Sequence, residues 1–157
     1  MSFQKSPKIV FLFFLLSLCS GCFSGFMVFR VEGTAMLPSF ENGQRVLIEK
    51  NPQRIFRGDV IVFRYPKEPT RLKFKRVIGL PGEEVLIDHG VVLINKMKLD
   101  EPYLDQNLNN DKQTFGPKSV KAGSFYVLGD NRDNSSDSRY WGAVEEDLII
   151  GKVKFVY

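Results

Sequence analysis

Residues Ile9 to Phe29 (IVFLFFLLSLCSGCFSGFMVF) form 21 consecutive residues without a charge, with Lys5 and Lys8 before them and Arg30 after. As a helix rising about 1.5 Å per residue, such a run reaches roughly 31 Å, the thickness of a bilayer's hydrocarbon core. A cleaved signal peptide has a shorter apolar region, about 7–15 residues. The sequence therefore predicts a cytoplasmic tail over residues 1–8, a transmembrane anchor over 9–29 and a folded domain over 30–157. Lys5 and Lys8 stay inside by the positive-inside rule, which puts the domain on the extracytoplasmic face of the membrane. The rest of the 157 residues has ordinary charge density and no second apolar run, which excludes a multi-span membrane protein, a disordered tail and a collagen-like chain.

Charge and cysteine usage narrow the partners. All 18 acidic residues follow Val31, against 19 of the 22 basic ones, so the exported part carries a net charge of only +1. A nucleic-acid binder concentrates positive charge on its folded domain, and no nucleic-acid partner is expected. Cys19 and Cys22 both lie inside the apolar run. The domain has neither a disulfide framework nor a thiolate zinc site. The stretch Leu18-Cys19-Ser20-Gly21-Cys22 approaches a lipobox, but its bulky residues are misplaced for one.

From Val31 onward the pattern is β. Runs rich in Val, Ile and Phe recur at Arg45–Glu49, Val60–Phe63, Lys73–Leu80, Glu84–Ile87, Val91–Ile94, Ser124–Leu128 and Ile149–Tyr157. Turn clusters such as Arg57-Gly58-Asp59, Pro81-Gly82 and His89-Gly90 separate them. The sequence predicts a mainly β domain, an antiparallel sheet without a substantial helix, with a hairpin at His89-Gly90 and a loop over Asn107–Gln113.

The chemistry available is limited. The one histidine, His89, sits in the predicted turn, so a Ser-His-Asp triad has no base, and no metal site is expected. A hydroxyl nucleophile with a lysine base remains. Lys75 is the candidate: on a strand it shares a face with Arg71 and Lys73, and burial beside like charge lowers a lysine pKa. A solvated basic stripe would carry the same residues. The segment Asp130-Asn131-Arg132-Asp133-Asn134-Ser135-Ser136-Asp137-Ser138-Arg139 is dense in short polar side chains, which suits an Asx-rich loop. A calcium loop would need a terminal Glu and flanking helices, which are missing.

Three stretches together resemble bacterial type I signal peptidases. They are Val31-Glu32-Gly33-Thr34-Ala35-Met36-Leu37-Pro38-Ser39, then Gly58–Phe63 with Lys75-Arg76-Val77-Ile78-Gly79-Leu80-Pro81-Gly82-Glu83, and finally Gly129–Arg139. The resemblance spans almost the whole chain. It implies a membrane-anchored serine endopeptidase of the Ser/Lys dyad type that removes signal peptides from exported preproteins at the cytoplasmic membrane, without a cofactor. Residue by residue, it implies Lys75 as general base and Ser135 as the residue that orients it. Asp137 and Arg139 would form a supporting ion pair, with Arg76 and Asp130 also in support. Met36 and Pro38 would shape the turn at the nucleophile.

One departure outweighs the agreements. Ala35 stands where the family's Ser-Met-x-Pro motif has its nucleophile, and alanine has no hydroxyl with which to form an acyl-enzyme. An introduced Ser-to-Ala change, a natural non-catalytic homologue that binds signal peptides or a partner peptidase, and substitution by Thr34 are three explanations. The retention of Lys75, Ser135, Asp137 and Arg139 favours a change at one position over long decay. Gly33 stands where some family members offer a serine hydroxyl, which leaves the oxyanion to backbone N–H groups. The implied substrate is an extended preprotein segment with small residues one and three positions before the cut. It would lie along the strand edges at Glu32–Met36 and Val60–Tyr65, with Glu32, Gly33, Thr34, Val62 and Phe63 in contact with it. Aromatic residues near the anchor would dip into the lipid surface.

Overall fold

The computed structural model describes residues 25–156. Eleven strands appear in chain order: β1 (Phe26–Arg30), β2 (Arg45–Lys50), β3 (Val60–Tyr65), β4 (Glu68–Gly79), β5 (Glu84–Asp88), β6 (Val91–Ile94), β7 (Met97–Lys98), β8 (Phe115–Ser119), β9 (Ser124–Leu128), β10 (Val144–Glu145) and β11 (Ile149–Val156). Among the described residues the only α-helix is α1 (Ser138–Trp141), one turn long. Seven strands form one sheet in the order β1-β2-β11-β3-β4-β9-β10, and four form a second in the order β7-β6-β5-β8. Neighbouring strands pair antiparallel throughout.

The hydrophobic runs become strands because the large sheet is covered on both faces. In β3, Val60 and Val62 join a cluster with Val31, Met36, Phe40, Val46, Ile48 and Phe74. Ile61 and Phe63 point the other way, into a cluster with Val77, Phe125, Val127 and Val144. β9 is buried at all five positions. Its Tyr126 and Leu128 meet Val85, Ile87, Val92 and Ile94 of the second sheet, which joins the two sheets. Strands buried on both faces read as continuous apolar runs rather than alternating ones. Each such side chain contributes about 1.5–3 kcal/mol by leaving water.

The hairpin at His89-Gly90 forms as expected: Asp88 pairs with Val91, and both turn residues have positive φ (48° and 82°). Overlapping the start of the predicted loop, Gln106–Leu108 makes a single 3-10 turn capped by the Asp105 side chain. Strands β7, β8 and β10 carry weaker apolar patterns and were not expected.

The N-terminal boundary differs from the sequence expectation. The last four residues of the apolar run, Phe26 to Phe29, pair with Glu49 to Val46 of β2 as strand β1, so an anchor cannot extend to Phe29. Met27 and Phe29 pack on the first cluster, while Phe26 and Val28 are exposed. Phe26 to Phe29 are all apolar, so they show neither a 2-residue nor a 3.6-residue period and the strand leaves no mark in the sequence. The expected anchor residues 9–24 lie outside the described residues. Among the described residues no helix is long and apolar enough to cross a membrane.

Candidate active site

Two irregular segments and one strand converge on the site. After Val31 the chain leaves the sheet and tightens into a turn over Ala35–Ser39, closed by Phe40 N–H donating to the Met36 carbonyl at 2.9 Å. Met36 is the buried pivot of that turn, and Pro38, after a cis peptide bond, lies exposed on its outer side. The second segment is the polar loop after β9, and it holds the first by direct bonds. Asn131 N–H donates to the Ala35 carbonyl at 3.1 Å, and its side chain donates to the Thr34 carbonyl at 3.2 Å. Asn134 Nδ2 donates to Thr34 Oγ1 at 2.9 Å. Thr34 is absent from the lining of the cavity that Ala35 and Lys75 share.

Gly129 is where the segments meet. A side chain there would collide with the Ser135 hydroxyl and with the Ala35 carbonyl oxygen, so only glycine permits the approach.

The loop is fastened by two buried ion pairs. Asp137 is fully buried and takes both Nε (2.8 Å) and an Nη (2.9 Å) of Arg139, a two-pronged geometry. It also accepts from Gly129 N–H at 3.2 Å and caps α1 by accepting from Arg139 N–H. The same guanidinium donates to the carbonyls of Arg132 and Ser135, closing the loop on itself. Arg76, from β4, forks onto buried Asp130 at 2.8 and 2.6 Å and reaches the Gly58 carbonyl and Ser39 Oγ. Tyr103 lies under the Arg76 guanidinium at 4.1 Å, and Glu101 binds both Tyr103 and Arg132. The predicted supporting residues Arg76, Asp130, Asp137 and Arg139 thus form two pairs. Sequence reasoning missed Glu101, Tyr103, Arg132, Asn131 and Asn134. The first two carry no local signal because they come from an irregular stretch remote in sequence, whereas the other three stood inside a motif already in view.

Lys75 is 5% exposed, and its Nζ donates to the Phe74 carbonyl at 3.0 Å. Burial lowers its pKa to about 8, with Lys73 adding to the shift and the Asp137 and Asp130 carboxylates opposing it. At that value about one molecule in ten carries a neutral amine at pH 7. Lys75 is therefore no part of a solvated stripe, although its neighbour Arg71 is exposed.

A cavity of about 530 Å³ opens beside this lysine. Glu32, Gly33, Ala35 and Met36, Arg71 to Lys75 of β4, and Phe29 and Ser136 line it. Ala35 and Lys75, predicted from separate motifs, thus face one space. The Ala35 N–H makes no hydrogen bond among the described residues. It is free to receive a developing oxyanion.

Three expectations are corrected. Val62 and Phe63 do not reach the cavity, because both are fully buried in opposite core clusters. β3 is an interior strand between β11 and β4 and cannot accept a peptide along its length. The open edge belongs to β4: residues 68–74 pair with β3 on one side, while β9 pairs only from Arg76 onward on the other. Finally, the expected bond from Ser135 to Lys75 is not formed. The Ser135 hydroxyl is buried and without a partner. The cavity-lining Phe29, Leu72, Lys73, Phe74 and Ser136 were not expected as site residues; Phe29 was hidden in the apolar run, and the β4 residues needed the strand order to reveal them.

The signal peptidase family, peptidase S26, matches residues 5–157. The chain belongs to this family. It is 43% identical over 135 residues to signal peptidase I of Leptolyngbya laminosa, covering 78% of this chain and 64% of that protein. It is 37% identical over 144 residues to signal peptidase I T of Bacillus subtilis, covering 84% and 74%. The crystal structure of a signal peptidase I from Enterococcus faecalis superposes with a TM-score of 0.58 at 33% identity, over 65% of this chain and 98% of that one. The mainly antiparallel β architecture is that of a signal peptidase I catalytic domain.

Proposed function

We propose that this chain has the frame of a membrane-anchored signal peptidase I that cuts signal peptides from exported preproteins through a Ser/Lys dyad, with the nucleophile replaced by Ala35. The observation that carries this reading is the buried, pKa-lowered Lys75 facing Ala35 across one cavity. A hydroxyl at residue 35 would lose its proton to neutral Lys75 as it attacks the scissile carbonyl. The Ala35 N–H would hold the oxyanion, and Lys75 would return the proton to the leaving amine. An acyl-enzyme at residue 35 would then be released by water activated by the same lysine. Ser135, with its unpartnered hydroxyl, is the group poised to bond Lys75 once a peptide displaces the contact to Phe74. With a methyl group at position 35 the first step has no nucleophile, and the chain as written binds substrate without cutting it.

The substrate would enter as an extended strand between the β4 edge and Glu32–Ala35, gaining main-chain bonds on both sides. Leu72, Phe74, Met36 and Phe29 supply apolar walls, and the space left beside a backbone admits small side chains, which suits small residues at the first and third positions before the cut. Exposed Val28 of β1, itself part of the apolar N-terminal run, and exposed Phe155 of β11 flank half-buried Leu47 of β2 in register and fit contact with the lipid surface. Anchored there, the domain would lie on the extracytoplasmic face.

Ala35→Ser with a purified preprotein tests the reading. Cleavage should appear and should vanish again in Ala35→Ser/Lys75→Ala. A folded Ala35→Ser chain that binds signal peptide without cutting it overturns the peptidase assignment in favour of a binding homologue.

A further inference from the structure

A second cavity of about 520 Å³, similar in size to the first, lies at the β10 end of the large sheet, at the edge opposite β1. No residue of the proposed peptidase chemistry lines it except Arg139, whose guanidinium is committed to Asp137. Lys67, Lys118 and Lys121 stand around it, and none forms a salt bridge or side-chain hydrogen bond among the described residues. Glu145 is the one acidic side chain in the lining. Three lysines from two separate connections, Lys67 between β3 and β4 and Lys118 and Lys121 around the end of β8, thus gather on one opening with a single opposing charge.

The floor is built rather than merely exposed. Tyr126 is 3% exposed, yet it lines this cavity and its hydroxyl has no hydrogen-bond partner among the described residues. Burial raises its pKa above the usual phenol range, so the hydroxyl stays a donor at all ordinary pH values. Trp141 forms part of the wall, and its indole Nε1–H is a buried donor without an acceptor. The indole N–H is sealed from the cavity, but three ammonium groups and the Tyr126 phenol on one lining suit an acceptor-rich anion.

We infer that this cavity is a binding site for a phosphate group, seated on the Tyr126 hydroxyl between Lys67, Lys118 and Lys121. A phosphate offers several strong acceptor oxygens to donors that have no other partner, and the lysines contribute charge-assisted bonds. The carrier of that phosphate can be a lipid headgroup or a water-soluble phosphate ester. The site's place at the edge opposite β1 favours the soluble carrier.

Trp141 is the only tryptophan in the chain, so its emission reports on this cavity directly. Full-length protein in a neutral detergent is titrated with inorganic phosphate and with glycerol phosphate, against sodium chloride at matched ionic strength. Vesicles of phosphatidylglycerol and of phosphatidylcholine form the second pair of arms. Saturable change with the free phosphates supports the site and a soluble carrier. Change only with phosphatidylglycerol vesicles, abolished by the variants below, supports the site and a headgroup carrier. Lys118→Gln/Lys121→Gln should weaken the response roughly tenfold or more at constant ionic strength. Tyr126→Phe, which keeps the ring and the packing, should weaken it severalfold. No response in any arm, a response matched by chloride, or one unaltered in variants whose circular dichroism is native, overturns the inference.

Discussion

Strands β3 and β4 lie side by side, paired over Val60–Tyr65 and Glu68–Arg76, and serve opposite ends. β3 has a strand on each side and a core cluster on each face, so its Val60–Phe63 run is closed to solvent in every direction. β4 loses its second neighbour before Arg76 and so keeps a free edge over residues that line the cavity. A phenylalanine is therefore pure core in one strand, as Phe63, and cavity lining in the next, as Phe74. The difference comes from neighbour count, which is a property of the sheet and not of either sequence.

The largest test of this contrast is catalytic. In the Ala35→Ser background, Lys75→Ala on β4 should lower kcat by about 10³-fold or more, the scale of losing a general base, measured as preprotein cleavage. On β3 the matching lesion is structural: Phe63→Ala should cost about 3–5 kcal/mol in urea unfolding, with an unchanged KM in whatever remains folded. A raised KM at native stability would put Phe63 back in the substrate site.

Lys75 itself sharpens the contrast through pH. Its folded-state pKa, about 8, lies below the ordinary 10.5, so between these values the unfolded chain binds more protons than the folded one. Stability should therefore rise with pH across about 8 to 10.5, and the burial penalty, on the order of 3 kcal/mol, is present in full below pH 8. Lys75→Met should accordingly stabilise the chain at pH 7 by about 1–3 kcal/mol and flatten that rise, read by urea unfolding at several pH values. In the Ala35→Ser enzyme, kcat/KM should climb with pH up to about 8 and level off above it. The smallest effect is at the open edge. Leu72→Ala should change stability by about 0.5 kcal/mol or less, yet raise KM and admit bulkier residues before the cut.

Much of this was legible in the residues. The β character, the hairpin at His89-Gly90, the family motifs and the pairing of Asp137 with Arg139 all rest on short-range patterns or on a motif of consecutive residues. Lys75 was legible as a candidate but not as a buried one, since a strand pattern with Arg71 and Lys73 beside it equally describes a wet surface. Strand β1 was invisible because Phe26 to Phe29 include no polar residue to mark a period. Val62 and Phe63 looked like substrate contacts for want of a strand order.

The sequence by itself determined that a strand-rich domain follows an apolar run, that the base its motifs offer is a lysine, and that position 35 holds a methyl group where the resembled motif has a hydroxyl. These are properties of single residues or short spans. Tertiary structure alone decided that Ala35 faces Lys75, that β4 and not β3 has the free edge, that Glu101 and Tyr103 brace Arg76, and that three distant lysines surround one buried phenol. Those facts depend on which strands become neighbours, and that is set by how both faces of the sheet are covered at once, a long-range packing condition that no local pattern encodes.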